Sequence, residues 1–206
     1  ILRKEIRSHY QKRHHGPLER LLLSFGGADK QGLFDRLLPV VCRLDKQVLI
    51  LSGSDERAAR LCEQWRSNSF EIYGRLDAEE IAELFTSVDL AISAGGQTLN
   101  ELAYLGVPFL AIETGADQYW NITSYVKAGV TPFHYRADDH LLDVKLVTEI
   151  NKLRSPDFRA VMSLRGRGLI DGHGVKRIAN ALRAHASHGC FCDQRGGAHA
   201  GCVSSG

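Results

Sequence analysis

Short apolar runs alternate with helix-patterned segments along most of this chain, and that alternation decides its fold class. Leu21–Phe25, Val48–Leu51, Phe70–Tyr73, Leu90–Ser93 and Phe109–Ile112 are the runs, with at most one polar residue in each. Runs with so few polar residues suit strands covered on both faces. Between them apolar residues recur at helical spacing: Leu33, Leu37, Leu38 and Val41 in the stretch to Leu44, then Ala58–Trp65, Ala78–Ser87, Thr98–Leu105 and Gln118–Lys127, stopped by Gly129. Asp77 with Glu80 makes a capping box for the Ala78–Ser87 helix. Thr131–Tyr135 reads as a last short strand, and Asp139–Leu153, Phe158–Leu169 and Val175–Ala186 read as helices. Right-handed crossovers between such strands force a doubly wound parallel sheet. The expected fold is α/β and Rossmann-like, with ligands beyond the carboxyl ends of the strands.

Composition bounds the partners. The 206 residues suffice for one domain with a real core and a tail. A formal charge of +2 gives no electrostatic case for nucleic acid. No apolar run approaches the roughly 20 residues of a membrane span, and no apolar signal-peptide core opens the chain. A cytoplasmic location is expected. Arg3, Lys4, Arg7, Lys12 and Arg13 make the first segment basic, which reads as a solvated linker. The chain opens on Ile1, as a processed protein or a piece of a longer one would.

Of the five cysteines, Cys42 and Cys62 sit in helical patterns and read as small buried hydrophobes. Cys190, Cys192 and Cys202 lie near His188 and His199 in a segment rich in Gly, Ser and Ala. Their spacing matches no standard zinc pattern. The reading is a disordered tail over residues 187–206, with neither a metal nor a cofactor expected.

Two glycine turns carry the functional signal. Gly95-Gly96 follows the run ending at Ser93 and opens the helix that begins near Thr98; Gly26-Gly27 follows Leu21–Phe25. Glycines let backbone approach an anion, and the first helical N–H groups face it along the helix dipole. Both turns fall at strand carboxyl ends, hence on one rim of the sheet. Two of them suit a ligand with a phosphate bridge, such as a nucleotide sugar. Thr98 and Glu101 carry two readings that spacing cannot separate. Thr-x-x-Glu is a capping box. Equally, Gln97 and Thr98 suit phosphate oxygens, while the Glu101 carboxylate suits a ribose diol, two acceptors for two vicinal donors. On the same rim, Asp117 reads either as a helix N-cap or, with Gln118, as a contact to sugar hydroxyls. The Arg75-Leu76 turn reads either as a plain loop or as backbone that meets the edge of a base.

No catalytic set accompanies these turns. His9, His14 and His15 lie in the basic lead segment; His134, His140 and His173 have no sequence partner that suggests a triad. Gly-x-Ser-x-Gly, His-Glu-x-x-His, Walker A and a strand-following Gly-x-Gly-x-x-Gly are all missing.

Ser24-Phe25-Gly26-Gly27-Ala28-Asp29, Ile92 through Leu102, Leu105-Gly106-Val107-Pro108, Asp117-Gln118-Tyr119-Trp120-Asn121 and Asp171 through Ile178 together resemble the C-terminal half of GT-B nucleotide-sugar enzymes. The closest likeness is to the UDP-sugar hydrolases of pseudaminic acid biosynthesis, which release UDP from a UDP-diacetamido-trideoxyhexose. Spore-coat polysaccharide proteins are similar, and the undecaprenyl N-acetylglucosaminyl transferase of peptidoglycan synthesis is a wider relative. The resemblance spans about residues 17 to 185. It implies that Gly26, Gly27, Gly95, Gly96, Gln97 and Thr98 hold the diphosphate of UDP or a UDP-sugar. It further implies that Glu101 takes the ribose hydroxyls, Arg75 and Leu76 lie near uracil, and Asp117 and Gln118 lie near the sugar. The hydrolases commonly carry Asn-Gln where this chain has Asp117-Gln118. Their catalytic His belongs to an N-terminal segment with no counterpart here, so residues 1–16 read as a connector from an N-terminal domain. Nucleotide binding without turnover by this chain alone is the expectation, as hydrolase half or, alternatively, as glycosyltransferase donor half or a non-catalytic nucleotide-binding module.

Overall fold

A computed structural model describes residues 2–26, 29, 31–65 and 69–188. Residues 2–172 form one compact unit. Its centre is a six-stranded sheet in the order β3-β2-β1-β4-β5-β6, parallel throughout. The strands are β1 (Arg20–Ser24), β2 (Gln47–Leu51), β3 (Phe70–Tyr73), β4 (Leu90–Ala94), β5 (Phe109–Glu113) and β6 (Tyr135–Arg136). Chain direction across the sheet reverses between β1 and β4, which lie side by side with Ser24 opposite Ser93. That is the switch point where doubly wound sheets leave a crevice for ligand.

Strand alternation divides the core in two. Leu21, Leu23, Val48, Ile50, Leu90, Ile92, Leu110 and Ile112 face one cluster, with residues of α2 (Leu33–Val41) and α7 (Leu142–Lys152). Leu22, Leu49, Ala91, Phe109 and Ala111 face the other, with α4 (Ala78–Thr86), α5 (Gln97–Leu105) and α6 (Tyr119–Lys127). Successive residues of one strand thus serve opposite faces, which is why the central runs are apolar at nearly every position. Between the strands also lies α3 (Asp55–Gln64), capped by the Ser54 hydroxyl. The capping box on α4 forms as expected, with Asp77 accepting from the Glu79 and Glu80 amides and Glu80 from that of Asp77. α8 (Pro156–Leu169) lies on α5, where the missing side chain of Gly166 lets Ala103 approach. α9 (Gly174–His188) belongs to a separate unit that begins at His173.

The leading segment differs from the solvated linker expected. It forms α1 (Lys4–Ser8), with Ile6 wholly buried in the second cluster. Arg3 pairs with Glu101, Arg13 donates to the Thr86 carbonyl, and Arg159 reaches the Gly16 carbonyl from inside the fold. Two of its basic residues, Arg3 and Arg13, thus have acceptors in the domain, and the segment lies along it.

Other expectations shift. Cys42 and Cys62 are exposed. Cys42 follows α2 in a short 3-10 turn, and on α3 only Leu61 is buried. The last strand is only Tyr135–Arg136, and the Asp139–Leu153 helix starts at Leu142. Cys190, Cys192, Cys202 and the rest of the tail from residue 189 lie outside the described residues, whereas α9 runs on past Ser187 to His188.

Candidate nucleotide site at the switch point

The Gly95-Gly96 turn leaves β4 and starts α5 directly. Gly96 is the N-cap, in extended backbone with φ −82°, and brings no side-chain cap of its own. The first amides of a helix have no carbonyl one turn back to bond. Here those of Gly96 and Thr98 open at the carboxyl rim, and a Cβ on Gly96 would meet nothing within 4 Å. This is an anion-binding arrangement of backbone donors and dipole. The capping-box reading of Thr98 and Glu101 is overturned: Thr98 lies inside α5, so its hydroxyl is not placed to cap.

Gly95 plays a different part from the phosphate donor expected. Its amide donates to the Ile112 carbonyl at 3.1 Å and to Gln118 Oε1 at 3.0 Å, and its carbonyl accepts from Asn121 Nδ2 at 2.7 Å. A Cβ here would sit 2.6 Å from Ile122 Cδ1. Gly95 is a glycine because α6 packs against it, and its N–H is used inside the fold.

Gln118 is the brace. Its Oε1 accepts from the Gly95 amide, the Thr114 amide at 2.9 Å and the Thr114 hydroxyl at 3.2 Å. The carbonyl end therefore joins the ends of β4 and β5, and its Nε2 is the group left to meet a ligand. Asp117 is exposed in a 3-10 turn (Ala116–Gln118) and is not the N-cap of α6, which begins after Gln118. Asn121, on α6, also meets this turn. Its bonds to both Gly95 and Gly96 carbonyls, the second at 3.4 Å, make it part of the turn.

Across the switch point, Gly26 adopts φ +77°, with nothing within 4 Å of a Cβ. Gly27 lies outside the described residues. Asp29 accepts from the Leu33 and Phe34 amides at 2.9 and 3.2 Å, so α2 is capped from its own loop. Burial raises the Asp29 pKa against those two bonds. At the end of β3, the Arg75 amide donates to Asp55 Oδ1 at 2.7 Å. That amide is therefore engaged by α3, leaving the Arg75 carbonyl and Leu76 amide as backbone that a base edge can meet.

Glu101 is the largest departure. Arg3 Nε and NH2 donate to its two oxygens at 2.7 and 2.5 Å, and the carboxylate side chain is 3% exposed. Hydrogen bonding to Glu101 raises the Arg3 pKa. Sequence reading missed this pair because 98 positions separate the partners. It missed also that His134 has a partner: its Nε2 bonds the Glu113 carboxylate, and its Nδ1 lies 3.4 Å from the Thr123 hydroxyl.

The fold is similar to about half of each of several solved structures. MurG of Acinetobacter baumannii superposes with a TM-score of 0.66 at 17% identity, over 88% of this chain and 52% of that one. A UDP-N-acetylglucosamine–N-acetylmuramyl-(pentapeptide) pyrophosphoryl-undecaprenol N-acetylglucosamine transferase of Cutibacterium acnes is 30% identical over 59% of this chain and 33% of its own length. The spore coat polysaccharide biosynthesis protein SpsG of Bacillus subtilis is 24% identical over 79% of this chain and 49% of its length. The chain thus spans between a third and a half of the curated relatives it matches. No protein-family model matches it. No described helix is long and apolar enough to cross a membrane.

Proposed function

We propose that this domain binds the diphosphate and nucleoside of a nucleotide-sugar donor, as the donor half of a GT-B glycosyltransferase. The observation that carries the reading is the α5 N-terminus: opened by Gly96, which has no side chain of its own to cap the helix, and set at the switch point of the sheet. Gly96, Gln97 and Thr98 hold phosphate oxygens, with Gly26 across the switch point; the sequence motif assigns Gly27 the same role. Leu76 and the Arg75 carbonyl lie toward the base, and the Gln118 amide nitrogen toward the sugar. Glu101 is the acceptor for the ribose diol. UDP is the nucleotide favoured, because the Cutibacterium relative is named for a UDP-sugar. Donors aimed at the diphosphate also stabilise the charge that develops on it as the sugar leaves.

A second reading is release of UDP to water by a hydrolase of the same fold. It rests on the resemblance of the motifs to UDP-sugar hydrolases; the match to SpsG, named for spore coat polysaccharide biosynthesis, fits either reading. Either reading requires residues beyond this chain for turnover, which an N-terminal domain would supply.

Calorimetric titration with UDP, UMP, ADP and GDP tests the binding reading. Preference for UDP over UMP is the expected result. Equal affinity for all four, or none, contradicts it.

A further inference from the structure

The Arg3–Glu101 pair joins the leading segment to the helix that opens the candidate site. Arg3 covers both carboxylate oxygens, with 37% of its own side chain exposed and 3% of the Glu101 side chain. Ile6, one turn on, is wholly buried and holds α1 against the domain. A carboxylate so covered has no open face for two further donors, although each oxygen keeps acceptor capacity. The guanidinium edge and a vicinal diol each present two adjacent donors. They compete for the same two atoms.

We propose that Arg3 is an internal latch: it occupies the ligand-reading carboxylate of Glu101, and a bound nucleoside must displace it. The inference rests on the reading of Glu101 as the acceptor for the ribose diol. The leading segment then controls affinity from a position in the chain far from the glycine turns. Movement of α1 that withdraws Arg3 opens the diol site, and docking of α1 closes it.

The test is titration of the full chain with UDP and with 2′,3′-dideoxy-UDP, which lacks the diol. Arg3→Ala is compared with wild type and with Arg3→Lys, which keeps the charge and loses the paired geometry. The latch predicts that Arg3→Ala binds UDP about fivefold more tightly, with Arg3→Lys between, and that neither variant changes affinity for the dideoxy nucleotide. Thermal unfolding of each variant reports whether it is folded, and Arg3→Lys stands in if Arg3→Ala is not. UDP affinity that is unchanged or weaker in the folded variants overturns the latch alone. UDP and its dideoxy form binding equally well to wild type and both variants overturns the diol reading of Glu101, and the latch with it. No binding of either nucleotide to any of the three overturns the nucleotide site itself.

Discussion

Gln118 Oε1 lies 3.0 Å from the Gly95 amide nitrogen, so a side chain that follows β5 holds the turn that ends β4. The turn is thereby fixed before any ligand arrives. A pre-set turn spares the ligand the entropy of ordering it.

The two glycines of that turn separate by experiment. Gly95→Ala forces a Cβ to 2.6 Å from Ile122 Cδ1 and 2.9 Å from Gln118 Cβ. Overpacking of this kind costs about 1–3 kcal/mol, measured as a lower denaturant midpoint. Gly96→Ser meets no neighbour within 4 Å. It keeps stability within about 0.5 kcal/mol, since serine is a good N-cap. Its hydroxyl then takes the helix amides that the phosphate needs, and UDP affinity falls.

Gln118→Ala removes an acceptor shared by three donors. Leaving the Thr114 amide without it costs about 1–3 kcal/mol of unfolding free energy. Gln118→Glu retains an acceptor for all three and restores most of that loss. Retained stability with weakened sugar-nucleotide binding in Gln118→Glu would assign the ligand contact to Nε2.

Acid sensitivity follows from His15. Burial, then the cations Arg13, Arg159 and Arg167, lower its pKa from 6.5 to about 4, with Asp89 opposing. The folded state therefore favours neutral His15, while the unfolded chain takes up the proton more readily. The stability this group contributes is complete above pH 6.5 and is lost as pH falls toward 4. Chemical denaturation across that window is expected to show a shallower loss in His15→Gln than in wild type. Parallel curves would remove His15 as a cause.

The fold was legible because its signals are local. Continuous apolar runs at Val48–Leu51 and Phe109–Ile112 define buried strands, and Asp77 with Glu80 starts a helix from chemistry contained in four residues. Helix ends were less so: the start of α5 at Gln97 depends on where β4 stops, not on Thr98 and Glu101. The rim was legible too, because parallel strands carry their following loops to one edge. What sequence did not reveal are pairings between distant positions. Glu101 with Arg3, Gly95 with Gln118 and His134 with Glu113 each join separate elements. In each case a residue of ligand-binding type turns out to have an internal partner, and spacing along one helix carries no trace of it.

The most direct measurement is a UDP titration of the isotope-labelled chain followed by backbone amide chemical shifts. The account predicts the largest changes at Gly96, Gln97 and Thr98, with further changes at Gly26, while the Gly95 amide moves little because Ile112 and Gln118 already hold it. Saturable changes confined to another face of the domain, with those amides still, would contradict it.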